Sequence, residues 1–341
     1  MHSPDPQDDC TPFLSRLGRG ARAAGGVAFA AALTFGGAGL ATADPSDNDL
    51  EATTLSESSQ GDAVEYWTAE RMESATPADE LIAENEAPDG QVEASDSVKI
   101  PAVEVNPQAD ASPQAAPGTH DGSRTAAAAG TDHVGKVFFT VNGADYVCSG
   151  NAVASGNGST VSTAGHCVNE AGTWASNWVF APGYDNGQAP YGLWSASDLF
   201  ATDQWVGQED MNYDIAFATV EPESGTATLT DTVGGSGIEF NTDRGALYTS
   251  FGYPAAAPFD GETLEQCQGT GFDDTLGGTD DQGIDCDMTG GSSGGPWFVG
   301  DGPEGYQVSV NSFGYTSQPN VMYGPYLGDV AEEVYEAASA A

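Results

Sequence analysis

The sequence predicts an all-β fold, built of short antiparallel strands that close into barrels or a sandwich, with one short helix at the C-terminus. Three observations carry this. From about residue 133 onward, short runs rich in Val, Phe, Tyr, Thr and Trp alternate with Gly, Asn, Asp and Pro. Asn142-Gly143, Asn157-Gly158 and Asn186-Gly187 are hairpin dipeptides, because both residues accept positive φ. Within that region helical spacing is confined to Asp329–Ala340, where Val330 and Val334 fall four apart beside Glu332, Glu333 and Glu336.

The blocks of the chain differ in texture. Residues 1–43 carry Arg16, Arg19 and Arg22, then an apolar run broken by Gly, then Ala41-Thr42-Ala43, the small-x-small pattern of a secretory signal peptide. The run is too short and too poor in Leu and Ile for a membrane anchor, which needs roughly 20 strongly apolar residues. Residues 44–129 hold few large apolar side chains and many acids, Ser, Thr, Ala and Pro, a balance that does not offset the entropy of ordering. They read as an acidic, disordered propeptide. A helix over 65–84 with a chaperone-like role stands beside the plain spacer reading. Residues 130–341 form the folded domain, with strands expected at 136–141, 146–147, 152–154, 160–162, 178–181, 214–220, 245–252, 307–312 and 321–323.

That domain carries 29 acidic residues against two basic ones. Such a surface repels phosphate backbones, which excludes nucleic acid as a partner, and it repels itself unless salt screens it. A saline environment suits it. Of five cysteines, Cys10 falls in the signal peptide, leaving Cys148, Cys167, Cys267 and Cys286. An even set in an exported chain reads as disulfides, with three pairings open. Cys148 with Cys167 and Cys267 with Cys286 is favoured, since each pair closes a loop of about 20 residues worth around 3 kcal/mol. No C-x-x-C or H-x-x-x-H spacing supports zinc. The acids Asp273, Asp274, Asp280, Asp281 and Asp285 lack a recognisable calcium-loop spacing and read as surface groups.

Three segments carry chemistry. In Thr289-Gly290-Gly291-Ser292-Ser293-Gly294-Gly295-Pro296, glycines flank a serine. They let the backbone turn sharply, expose a hydroxyl and aim successive N–H groups at one point. In Val161-Ser162-Thr163-Ala164-Gly165-His166-Cys167, a strand feeds a histidine next to a half-cystine. The domain's other histidine, His133, lies at its N-terminal edge and is the weaker general base. In Asn212-Tyr213-Asp214-Ile215-Ala216-Phe217-Ala218, a carboxylate opens an apolar strand, where it needs a partner such as the His166 ring. Chain order discriminates. No histidine follows Ser293, against the α/β-hydrolase order, and the only acids between 130 and His166 are Asp132 and Asp145, against the subtilisin order.

The blocks T-A-G-H-C, Y-D-I-A and G-S-S-G-G-P, in that order, resemble the signatures of the trypsin-like (chymotrypsin-fold) serine peptidases, in the bacterial branch that includes the glutamyl endopeptidases. The resemblance covers roughly 134–327. It implies two six-stranded antiparallel barrels with the site between them, a His166, Asp214, Ser293 triad, and an oxyanion hole from the N–H groups of Gly291 and Ser293. It also implies a substrate-pairing edge at Ser312-Phe313-Gly314 and a Cys148–Cys167 disulfide beneath the histidine. A monomeric, secreted endopeptidase acting on proteins or peptides follows, with no cofactor, no metal and no stable membrane association. The rival is an inactive homologue acting as an extracellular binding module. Two departures stand out. Ser292 occupies the place where trypsin keeps the aspartate that receives a new N-terminus. No histidine lies near Asn311 or Ser312, where the glutamyl enzymes keep one; Asp287, six residues before Ser293, falls where trypsin places its basic-selecting carboxylate.

Overall fold

Strands form where β-branched and aromatic residues cluster between turn formers, and a computed structural model describes residues 49–78, 91–105, 130–222, 225–300 and 302–341. The candidate signal peptide and residues 106–129, the end of the candidate propeptide, lie outside the described residues.

The N-terminal elements are β1 (Leu50–Thr54), α1 (Glu57–Tyr66), α2 (Ala69–Ser74), β2 (Thr76–Pro77) and β3 (Val98–Ile100). Then come β4 (Val134–Val141), β5 (Ala144–Val153), β6 (Thr160–Thr163), the small hairpin β7 (Asn169–Glu170) and β8 (Thr173–Trp174), β9 (Ser176–Pro182), β10 (Trp194–Thr202), α3 (Asp203–Gln208) and β11 (Ala216–Pro222). Six of these pair antiparallel in the order β10-β11-β6-β5-β4-β9. The path closes where Trp194 and Ser195 of β10 meet Phe180 and Val179 of β9. The result is a closed barrel whose inside is filled by side chains such as Val137, Val161, Trp178, Phe180 and Phe217, all without exposure.

The second half holds α4 (Leu229–Val233), β12 (Gly237–Phe240), β13 (Leu247–Gly252), β14 (Glu265–Thr270), β15 (Phe272–Asp273), β16 (Gln282–Asp285), β17 (Pro296–Val299), β18 (Tyr306–Val310), β19 (Val321–Gly324) and α5 (Asp329–Ala340). Here the expected second barrel differs. Its strands divide into a sheet β14-β13-β17-β18-β12 and a separate sheet β15-β16-β19. The strands are short, β12 meets β18 over only two residue pairs, a bulge at Trp297/Phe298 shifts the β17–β18 register, and among the described residues no backbone pairing joins the two sheets into a closed barrel. The disulfide Cys267–Cys286 ties the two sheets, and Cys148–Cys167 ties β5 to the turn after β6, so the structure pairs the cysteines locally. As expected, α5 buries Val330 and Val334, and Tyr335 donates to the Ala154 carbonyl.

The disordered reading of 44–129 needs correction for 49–78 and 91–105, which are seated on the domain. They build no core of their own but borrow one by adding strands to open edges. Thus β1 pairs antiparallel with β10 from Leu50↔Thr202 to Thr54↔Asp198, and β3 pairs with β12 from Ile238↔Ile100 to Phe240↔Val98. Trp67, almost fully buried, packs on Phe138, and Arg71 and Lys99 form ion pairs with Asp145 and Glu239. The helices begin at 57 and 69, where Ser56 and Thr68 accept capping hydrogen bonds, rather than at 65. The rest of the expected helix, 79–84, lies outside the described residues.

Candidate active site

His166 sits in a single 3-10 turn, Gly165–Cys167, at the end of β6. Gly165 is there because a Cβ would come within 2.7 Å of the Trp205 ring, and Cys167 is locked to Cys148. One carboxylate grips the histidine twice. The His166 backbone N–H donates to Asp214 Oδ1 at 2.9 Å, and Nδ1 lies 2.8 Å from Oδ2. Asp214, between the turn Met211–Tyr213 and β11, also accepts from the Ser312 hydroxyl. Burial alone would raise its pKa, but the His166 charge and the hydrogen bonds from His166 and Ser312 outweigh this and hold it below the ordinary carboxylate value.

Ser293 lies in the loop that enters β17. Its carbonyl accepts from Ser149 N–H at 2.7 Å and lies 3.8 Å from Cys167 Sγ. Adjacent residues of β5, Cys148 and Ser149, therefore hold the histidine turn and the serine loop. The glycines make this approach possible. Gly294 has φ of 80°, and a Cβ there would collide with Thr163 Oγ1 and the Ser149 carbonyl; at Gly295 it would collide with the Phe251 carbonyl. Buried Asn311 braces the loop, with Nδ2 donating to Phe251 and Ser292 carbonyls and Oδ1 accepting from Ser250 and Trp297. Among the described residues, neither the Gly291 nor the Ser293 N–H donates to another backbone carbonyl.

Of the other predicted residues, Ser312 is buried, Phe313 pairs with Tyr323, Gly314 is exposed, and Asp287 is exposed beside Cys286. His133 is not at a loose edge: it is buried, with Nδ1 2.7 Å from Asn151 Oδ1 and its ring against Phe298. Burial lowers its pKa. Sequence reasoning missed the Ser312 contact to Asp214, which no spacing reveals. It also missed Lys136, whose signal was a lysine inside the apolar run Val134–Val141.

The acidic cluster separates into different groups. Asp273 and Asp285 are exposed, Asp280 pairs with Arg244 at 2.8 Å, and Asp274 accepts from Thr279 and Tyr315. Asp281 is fully buried with both carboxyl oxygens lacking a hydrogen-bond partner, so burial and the Asp214 and Asp274 charges push its pKa well up. Glu170, half-buried on β7, is pushed up to about 7 by burial and by Glu209, against the pull of His166. Among the described residues, the one trio of His, Cys, Asp or Glu ligand atoms within 4.8 Å is Cys148, His166 and Cys167. Its sulfurs are bonded to each other, so neither is a thiolate able to hold a metal.

No family model matches the chain. Among solved structures, it is similar to the protease Anisep from Arthrobacter nicotinovorans, 53% identical over 62% of this chain and 97% of that one, with a TM-score of 0.60. It is similar to a thermostable serine protease, AL20, from an extremophilic microorganism, 48% identical over 62% of this chain and 98% of that one, with a TM-score of 0.59. A curated relative, an extracellular metalloprotease of Bacillus subtilis (strain 168), is 40% identical over 70 residues, and the match spans about a fifth of each protein, 20% of this chain and 21% of that one. With a closed six-stranded barrel and half-identical solved relatives, the chain belongs to the trypsin-like, chymotrypsin-fold serine peptidases, which are serine-type endopeptidases.

Proposed function

We propose that this is a secreted serine endopeptidase, made as a precursor with a signal peptide at 1–43 and a propeptide at 44–129, that cleaves proteins or peptides through Ser293, His166 and Asp214. The observation that carries this reading is the double grip of Asp214 on His166, beside a serine loop fixed to the same pair of β5 residues.

The Ser293 hydroxyl attacks the scissile carbonyl while His166 Nε2 takes its proton. Asp214 accepts the Nδ1–H, fixing the tautomer and stabilising the imidazolium. The N–H groups of Gly291 and Ser293 receive the oxyanion, each worth about 3 kcal/mol. Collapse passes the proton to the leaving amine and leaves an acyl-serine, which water hydrolyses by the same relay. Substrate backbone is expected to pair with 312–314, where the Ser312 carbonyl and the Gly314 N–H have no backbone partner among the described residues. No helix among the described residues is long and apolar enough to cross a membrane, and the two disulfides suit an oxidising compartment. The seated segments 49–78 and 91–105 support a propeptide that docks on the domain by strand addition.

A fluorophosphonate probe tests the reading. Expected is labelling that disappears in Ser293→Ala; absence of Ser293-dependent labelling would favour the binding-module rival. N-terminal sequencing of the secreted product locates the processing site.

A further inference from the structure

In trypsin the aspartate before the nucleophile ties the oxyanion loop to a new N-terminus, and here Ser292 donates instead to the Thr289 carbonyl at 2.8 Å. Something else must set the loop. We infer that buried Lys136 and its cross-strand neighbour Ser149 are the positioning residues that preset the oxyanion loop from the outer face of the barrel strands β4 and β5, resting on the serine-peptidase reading above.

The two lie opposite each other in the β4–β5 ladder, so their side chains share one face. Lys136 is 2% exposed, an expensive place for one of the domain's two cations. Its Nζ donates to the Gly261 carbonyl at 2.9 Å, lies 3.6 Å from Glu262, and sits over the rings of Phe138 and Tyr184. This anchors the connection between β13 and β14. Gly261 in turn packs on Ala255, so closely that a Cβ would come within 2.7 Å of the Ala255 Cβ. Ala255 N–H donates to the Gly290 carbonyl at 2.6 Å. That contact fixes the peptide plane between Gly290 and Gly291. In a trans peptide the N–H points opposite to the C=O, so pinning the Gly290 carbonyl to Ala255 turns the Gly291 N–H the other way, toward the oxyanion position.

Ser149 fixes the following plane. Its hydroxyl donates to the Gly291 carbonyl at 2.9 Å and accepts from Tyr253 N–H at 2.9 Å, while its own N–H holds the Ser293 carbonyl. The Thr289 hydroxyl closes the brace on Ala256. The Gly291 N–H is thereby oriented by internal contacts on both sides; the Ser293 N–H shares its plane with the Ser292 carbonyl, which accepts from Asn311 Nδ2 at 3.0 Å and Gly295 N–H at 2.9 Å, while Ser149 holds the carbonyl on the far side of Ser293.

The test expresses the full chain carrying Lys136→Met or Ser149→Ala and assays its secreted, processed product on a quenched fluorogenic peptide selected from a library, with titration by a peptide aldehyde, whose adduct places an oxyanion in the hole. A preset loop predicts that kcat falls about 10- to 100-fold, that KM stays within about twofold, and that aldehyde affinity falls with kcat. Should Lys136→Met fail to fold by circular dichroism, Ser149→Ala, which deletes a single oxygen, decides. Folded variants that keep kcat and aldehyde affinity within about twofold of the parent overturn the inference while leaving the peptidase reading intact. A parent chain without Ser293-dependent turnover overturns both. Acetylating the α-amino group is expected to leave kcat unchanged, and loss of activity on acetylation would also overturn the inference.

Discussion

Asp214 and Asp281 are both sealed from solvent, yet their surroundings treat them oppositely. Asp214 accepts from the His166 backbone, the His166 ring and the Ser312 hydroxyl, and is held ionised. Asp281, reached by the Asp214 charge, has no hydrogen-bond partner on either oxygen and is driven toward the neutral form. Burial by itself therefore does not decide the charge of a carboxyl; the donors aimed at it do.

The sharpest way to break the contrast is Asp214→Asn. With the proposed role, kcat is expected to fall about 10⁴-fold, the size seen when the same change is made in a characterised serine-peptidase triad, while circular dichroism stays native. A loss under tenfold would remove Asp214 from the relay. Ser312→Ala strips one donor and leaves the other two. An expected drop in kcat of roughly 10- to 100-fold matches a lost hydrogen bond to a charged group of about 1.5–3 kcal/mol, and an unchanged kcat would make that hydroxyl incidental.

Asp281→Asn examines the opposite corner through stability rather than turnover. Because folded Asp281 keeps its proton to higher pH than an unfolded aspartate, the folded state binds more protons above about pH 4, and stability is lost as pH rises through that window. The substitution removes this loss, so the Tm of Asp281→Asn should gain on the parent from about pH 4 upward; a pH-independent difference would sink the account. For Asp214 the direction reverses, since its depressed pKa gives stability above about pH 4 that is lost on acidification. The smallest expected effect is that of Glu170→Gln. Glu170 ionises near pH 7, and its charge favours the His166 imidazolium, so removing it should move the acid limb of the kcat/KM profile to lower pH. A shift toward higher pH would contradict the placement of Glu170.

The closed barrel was legible because its strands, such as Val134–Val141 and Ala216–Pro222, carry their own β-branched and aromatic signal, and their turns carry Asn-Gly. His166, Asp214 and Ser293 stood out because each sits where a strand meets a turn. The seated N-terminal segment was illegible for the opposite reason: Leu50–Thr54 and Val98–Ile100 gain their order from edges elsewhere in the chain, so nothing within them announces it. The open second half went with short ladders, such as the two-pair contact of β12 with β18, a feature set by tertiary geometry. Ser312 read as a substrate-pairing residue because its hydroxyl's partner, Asp214, lies far away in sequence.

The ladders that seat Leu50 against Thr202 and Lys99 against Glu239 also impose an order in time. Translation delivers these N-terminal stretches long before the edges that receive them, and bringing together such distant points is among the slower steps available to a folding polypeptide. The first part of the domain-bound chain to leave the ribosome is thus among the last to find its place.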